Sequence, residues 1–254
     1  MSETGVSYDG RMARVYDAGR RLLPEAEDGW ADAVRDRVPI GGRVVDLGAG
    51  TGRFARLFVE RFSARVVAVE PAAGMRSAGA RHHDHDTDIR WVAARAERVP
   101  LVDGTADVVW LSCVVHYLDL DAAGGELARL AKRGQGRVLV RSTFPDRLDE
   151  LEWMRWFPTA RAIDEARMPS VERLQGAWAP HGLTLEARIP DRQVIARDLD
   201  ELVRRLEHRA ISTLELISDA EFAAGLDGLR AHAAASPRRP SHSAMDILSF
   251  AAPG

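Results

Sequence analysis

Apolar positions along this chain switch between two periods. Short runs rich in Val, Leu and Ala read as strands at Arg43–Leu47, Arg65–Glu70, Ile89–Ala93, Asp107–Cys113 and Arg137–Thr143. Between them lie segments with helical spacing. Arg53–Phe62 puts Phe54, Leu57, Phe58 and Phe62 on one face; Ala72–Arg81 and Ala122–Lys132 are two more helices. Strands that alternate with helices predict a mostly parallel sheet covered on both faces. With further strands at Leu183–Ile195, broken by Pro190, and at Met245–Ala251, the pattern predicts α/β architecture: a doubly wound, Rossmann-like, seven-stranded sheet.

The flanks depart from plain alternation. Tyr8–Arg20 and Asp28–Val38 read as two leading helices separated around Pro24, followed by the turn Pro39-Ile40-Gly41-Gly42. Residues 145–168 form an aromatic-rich insertion, and Ser170–Ala179 a helix. Two later helices open on capping-box pairs, Asp198 with Glu201 and Ser218 with Glu221. Ser236–Ser243 reads as a Pro/Arg/Ser loop. We therefore divide the domain into a cofactor-binding half with a helical cap, residues 1–144, and a remainder, 145–254. Its inserted segments, 145–168 and 198–240, are expected to bind the acceptor.

Composition narrows the function. The 254 residues are 46% apolar, enough for a sizeable core, and the net charge of −3 gives no field suited to nucleic acid. Lys132 is the sole lysine among 35 basic residues, a compositional bias toward Arg. Cys113 is the single cysteine, so no internal disulfide forms and a cytoplasmic setting is expected. No stretch has the length of a membrane span, and the first residues lack a signal-peptide core.

The strongest motif is VVDLGAGTG, residues 44–52. A buried strand runs into Gly48, Gly50 and Gly52, and a helix follows. Glycine lets the backbone turn sharply and approach a ligand closely. About 20 residues on, Glu70 ends the second strand, where a carboxylate can accept hydrogen bonds from ribose hydroxyls. A nicotinamide fingerprint needs a small residue where this chain has Arg53, and no Gly-Lys-Ser/Thr of a phosphate loop occurs. Asp46, just before the glycines, suits a cofactor with a cationic end better than a pyrophosphate.

At these residues the sequence resembles the class I S-adenosylmethionine-dependent methyltransferases. VVDLGAGTG is similar to their first motif, and VVAVEPAAGM (66–75) to the next. AARAERVPLVDGTADVVWLSCVVHYL (93–118) is similar to a block in small-molecule members related to quinone C-methyltransferases, although Arg95 stands where that block often has Asp. The resemblance covers roughly residues 40–144. It implies that Asp46, Gly48, Ala49, Gly50 and Gly52 line the methionine end of S-adenosyl-L-methionine, and that Glu70 holds the ribose. It also implies that Pro71 and Met75 flank the adenosine, that Ala96 and Glu97 border the adenine, and that Ser112 lies behind the methionine part. The leading helix, with Tyr8 and Tyr16, would cover the site, Tyr16 on the cofactor and Tyr8 toward the acceptor.

Methyl transfer needs orientation and a water-poor site, with a base only where the acceptor holds its proton tightly. His116, just past the fourth strand, is the candidate catalytic base. Arg141 is a candidate for an anionic acceptor group, or for pairing with a carboxylate at the sheet rim. Trp153, Trp156 and Phe157 are candidate acceptor walls, or else core. His82, His83, Asp84, His85 and Asp86 contain metal-ligating types, but neighbouring residues at a helix end point apart, and no metal is expected. The Asn/Asp-Pro-Pro-aromatic motif of nucleic-acid methyltransferases and the paired glutamates of the protein-arginine enzymes are both missing after the fourth strand. The first reading is methyl transfer to O, N or C of a small molecule. Two others stay open: a protein that binds S-adenosylmethionine without methylating, and a nicotinamide oxidoreductase.

Overall fold

The computed structural model describes residues 6–82 and 87–254. Nine strands and nine α-helices follow one another among them. Strands β1 (Arg43–Leu47), β2 (Arg65–Val69), β3 (Ile89–Val92), β4 (Val108–Ser112) and β5 (Arg137–Ser142) are parallel. β9 (Met245–Ala251) runs antiparallel between β5 and β6 (Thr184–Asp191), giving the order β3-β2-β1-β4-β5-β9-β6. The seven-stranded, mostly parallel, Rossmann-like sheet is therefore as expected.

Alternation along each strand builds two cores. Val44, Val66, Trp110 and Leu139 face α2 (Pro24–Val34) and α3 (Arg53–Phe62), where Trp30 packs edge-on to Phe58 and Phe62. Val45, Leu47, Val109 and Leu111 face the other way, against Leu127 and Leu130 of α5 (Leu120–Leu130) and Leu174 and Trp178 of α7 (Val171–Trp178). Strands buried on both faces explain the near-continuous apolar runs.

Several boundaries move, each for a local reason. α1 spans Arg11–Arg20 and starts after Gly10, whose φ of +66° ends the extended lead-in. α2 begins four residues earlier than expected, because Pro24 occupies its first turn, where a missing N–H costs nothing. Pro190 does not break β6. It pairs opposite Asp246 on the outermost strand, where no further neighbour needs its N–H. The loop before β9 contains β8 (Ser241–His242), which pairs with β7 (Val194–Ala196) in a small ribbon.

The inserted segments form a third core over the carboxyl ends of the strands. Two 3₁₀ turns (Pro145–Glu150 and Glu152–Trp156) and α6 (Pro158–Arg167) pack on α8 (Leu199–Glu207) and α9 (Asp219–Ala235) through Leu148, Trp153, Phe157, Leu202, Leu206, Leu226 and Leu229. In the first capping pair Glu201 N–H donates to Asp198, while the Glu201 carboxylate accepts from the Arg197 N–H at 2.7 Å. The second is shared. Ser218 caps α9, but the Glu221 carboxylate accepts instead from the Thr159 N–H at 2.8 Å, tying α9 to the start of α6.

Candidate active site

The sheet reverses its strand order between β1 and β4, and a crevice opens there at the carboxyl ends of the strands. The loop after β1 shapes one wall. Gly48, Gly50 and Gly52 all have positive φ (70°, 60° and 80°), a region L side chains rarely adopt. A Cβ on Gly48 would also stand 2.5 Å from Val114 Cγ1, so the backbone has to be bare. The Gly48 and Ala49 N–H groups donate to the Val69 carbonyl, which locks the loop to the end of β2.

Glu70 follows directly. Its Oε2 accepts from the Gly50 N–H at 2.9 Å and its Oε1 from the Ala72 N–H at 2.8 Å. Burial raises its pKa, and the two backbone N–H groups oppose that rise. Each oxygen keeps lone-pair capacity for another donor. Around this carboxylate lies a cavity of about 1000 Å³, open mouth included. Gly48, Gly50, Glu70, Pro71 and Met75 line one side; Ala96, Glu97 and Ser112 line the other. Tyr16 stands over Gly50, and Arg95, Val114, Tyr117 and Leu118 are also on the wall. Most of the expected cofactor residues thus share one cavity.

Asp46, Ala49 and Gly52 are placed differently, and Ala49 packs against the core on the α2 and α3 side. Gly52 is the left-handed N-cap of α3, and the neighbouring Thr51 hydroxyl donates to Asp17 of α1. Asp46 is 2% exposed and stands behind the loop, with no hydrogen-bond partner for Oδ2. Desolvation, then the Glu70 charge, raises its pKa to about 7. Its native pKa therefore lies above the unfolded value, and it contributes most stability when protonated in both states. That contribution is lost as pH rises from about 4 to 7. Asp46→Asn should raise the melting temperature at pH 8 and change it little at pH 4. An equal shift at both pH values would show that Asp46 is not held protonated.

A second cavity, of about 790 Å³ with its mouth, adjoins the first. Tyr8, Tyr16 and Cys113 line both. The Tyr8 hydroxyl is 2.8 Å from that of Tyr117, and burial raises the Tyr8 pKa, so the phenol stays protonated. Cys113 has φ of +57°, an uncommon conformation for a side-chain-bearing residue, and its N–H donates to the Arg141 carbonyl. His116 lies in the short 3₁₀ turn Val115–Tyr117 and faces the second cavity. Both its ring nitrogens are buried without a hydrogen-bond partner. Desolvation and the charges of Arg167 and Arg20 hold its pKa well below the usual value, so it is neutral at physiological pH.

Arg141 spends its guanidinium on protein partners. It is 2% exposed, ion-paired to the equally buried Asp191, and donates to Gln193 Oε1 at 3.0 Å. Of its two sequence readings, the carboxylate pairing is the one that forms, between β5 and the end of β6. Trp153 reaches the second cavity. Trp156 and Phe157 do not: Trp156 packs beside His232, and Phe157 is fully buried between Trp153 and Phe222. His83, Asp84, His85 and Asp86 lie outside the described residues, and among those described no group of three or more His, Cys, Asp or Glu is arranged to hold a metal. Among the described residues no helix is long and apolar enough to cross a membrane.

Sequence reasoning missed the second cavity's charged residues. Arg20 ends α1, and Asp164 and Arg167 are an i, i+3 pair on α6 that reads as a solvated helix face. Nothing in the local pattern marks them, because only the cap folds them inward.

Comparison with known proteins agrees with this geometry. Residues 45–139 match the family described as methyltransferase domain. The malonyl-[acyl-carrier protein] O-methyltransferase of Methylococcus capsulatus is 34% identical over 163 residues, which is 63% of this chain and 56% of that protein. The chain thus spans about half the length of the curated relatives it matches. Among solved structures, phosphoethanolamine N-methyltransferase 2 of Haemonchus contortus, in complex with S-adenosylhomocysteine, superposes with a TM-score of 0.63 at 15% identity, covering 98% of this chain and 61% of that one. Geranyl diphosphate C-methyltransferase of Streptomyces coelicolor, also with S-adenosylhomocysteine, gives 0.55 at 20% identity over 89% and 79%. These two share the fold.

Proposed function

On the premise that residues 45–139 form a methyltransferase domain, we propose that this chain transfers the methyl group of S-adenosylmethionine to a nucleophilic O, N or C atom of a small organic molecule. The observation that carries the reading is the Glu70 carboxylate, fixed by the Gly50 and Ala72 N–H groups at the wall of the first cavity. A carboxylate so oriented has acceptor capacity for the two hydroxyls of a ribose. The bare Gly48–Gly50 backbone beside it is a cradle that a Cβ would fill. These residues fit the cofactor.

The cofactor supplies an already activated methyl group on its sulfonium. The chain's part is to bind, orient and keep water out. Gly48, Gly50 and Ser112 border the methionine end, with Ala49 and Gly52 fixing the turn and Asp46 acting through the loop as a buried carboxyl. Glu70 holds the ribose, and Pro71, Met75, Ala96 and Glu97 surround the adenosine. Tyr16 covers the cofactor, while Tyr8 and Cys113 stand at the junction of the cavities. The acceptor occupies the second cavity, where Trp153 is part of the wall and neutral His116 takes the proton that an O–H or N–H acceptor must lose. We assign the reaction to the cytoplasm, in keeping with a single free cysteine. The acceptor is not a nucleic acid, in keeping with the net charge of −3.

Glu70→Ala tests the reading. Losing the carboxylate removes charge-assisted hydrogen bonds of roughly 1.5–3 kcal/mol, so affinity for S-adenosylhomocysteine should fall about 10- to 100-fold by calorimetry. Glu70→Gln, which keeps an acceptor for one backbone N–H, should lose less. An unchanged dissociation constant in a folded Glu70→Ala protein would place Glu70 outside the site.

A further inference from the structure

The second cavity carries more positive charge than it neutralises. Arg20 reaches it from the end of α1, and Arg167 from the end of α6. Arg167 is tethered: its Nε donates to Asp164 at 2.8 Å, and its Nη2 to the Ser212 and Thr213 hydroxyls. Its Nη1 is buried and has no partner. Among the described residues Arg20 pairs with no carboxylate; its Nη2 lies 3.7 Å from the Cys113 sulfur, and its guanidinium also bonds the Tyr16 hydroxyl. Asp164, 5% exposed, is the one carboxylate on the wall, and it is already spent on Arg167 and Thr213. Asp191, at the end of β6, is closed off by Arg141 and Gln193. His116, the remaining titratable wall group beside two tyrosines and Cys113, is neutral.

Counting formal charges on the wall, two guanidiniums face one carboxylate, which leaves one positive charge unmatched. A half-buried charge without a carboxylate partner is still costly, and an orphaned guanidinium N–H adds to that cost. Both are relieved at once by a bound anion. Guanidinium N–H groups match the planar geometry of a carboxylate. A single surplus charge matches a monoanion better than a phosphate dianion.

We propose that the acceptor carries a carboxylate group, and that Arg20 and Arg167 bind it. This deepens the methyl-transfer reading and rests on it for the word acceptor. Arg20 touches Cys113, which also lines the first cavity, so the anion is anchored beside the junction where transfer takes place. Arg167 holds it from the cap side. The two arginines select the acceptor, and His116 is left to handle the proton of its nucleophile.

The test uses benzoate as probe, with benzamide and phenyl phosphate as ring-matched controls. Each is titrated calorimetrically into the full chain with and without saturating S-adenosylhomocysteine. Binding of S-adenosylhomocysteine alone reads the methyltransferase proposal, and the titrations without it read the anion site independently. Benzoate should bind about tenfold or more tightly than benzamide, as expected for a charge-assisted hydrogen bond, and more tightly than phenyl phosphate. Arg20→Gln and Arg167→Gln should each abolish most of that preference while S-adenosylhomocysteine affinity stays within about twofold. Arg167 also ties α6 to residues 212 and 213, so a loss of stability is expected in its variant; Arg20→Gln, which breaks no ion pair, then carries the test. Equal affinity for benzoate and benzamide, no benzoate binding at millimolar concentration, a preference for phenyl phosphate, or a preference unaltered in Arg20→Gln would each overturn the assignment.

Discussion

Replacing His116 with Asn should lower the turnover number about 10²- to 10⁴-fold with any O–H or N–H acceptor, the range expected when a general base is lost. Affinity for S-adenosylhomocysteine should stay within about twofold, because His116 lines the second cavity and not the first. What surrounds the imidazole keeps it neutral and open to a ligand, at a cost in proton affinity. Its nitrogens make no hydrogen bond inside the protein, so both are open to a ligand in the cavity. Burial and the charges of Arg167 and Arg20 disfavour the imidazolium. With a native pKa far below the unfolded one, His116 costs stability only as pH falls through the unfolded value, near 6.5. At pH 7 and above it is a neutral acceptor of protons. Imidazole NMR should therefore show His116 unprotonated at pH 5.5, whatever the acceptor is. An Asn variant with an unchanged turnover number, or a His116 that titrates near 6.5, would remove it from the chemistry.

The largest effect on folding should come from Arg141→Met. Arg141 and Asp191 are each about 2% exposed on their side chains and joined by an ion pair, with Gln193 bonded to both. The guanidinium also lies over the Phe54 ring, 5.3 Å from its centroid. Removing one partner leaves the other as a buried, uncompensated charge, which costs about 3–5 kcal/mol. For a chain of this size that is roughly 6–20 °C in melting temperature. Removing both, as in Arg141→Met with Asp191→Leu, should cost less than the sum of the single changes, because the charge that made each one expensive is gone. Additive losses would show that the pair is not coupled. Any Arg141→Met protein that folds should bind S-adenosylhomocysteine normally. A selective loss of acceptor binding would return Arg141 to the site.

The cofactor half was legible because its signals are local. Gly48, Gly50 and Glu70 lie at strand ends within 23 residues of one another, and a parallel sheet brings consecutive strand ends together without help from the rest of the chain. The acceptor side is legible only in outline. The capped helices α8 and α9 are visible from Asp198 and Ser218, and the aromatic run at 153–157 announces an apolar cap. Which of those aromatics faces the cavity depends on α9. A Cβ on Gly228 would meet the Trp156 ring at 2.7 Å, so bare helix surface there receives Trp156 and leaves Trp153 to the cavity. The charged wall was hidden for the same reason. Arg20 and Arg167 are 147 positions apart, and nothing short of the folded cap puts them on one surface. Arg141 was readable in both directions, since a strand-end arginine in a sheet rim can face a ligand or a carboxylate. The antiparallel return of β9 beside β6 is what supplies Asp191.

Methyl transfer by this chain depends first on whether the first cavity takes the cofactor. The decisive measurement is a calorimetric titration of the full chain with S-adenosylhomocysteine, repeated with reduced nicotinamide dinucleotide and paired with melting curves. The geometry of Glu70 and the glycine loop predicts one S-adenosylhomocysteine per chain and a melting temperature that climbs with the logarithm of ligand excess. It predicts no heat and no shift with the nicotinamide. No heat and no shift with millimolar S-adenosylhomocysteine, or stabilisation by the nicotinamide in its place, would contradict it.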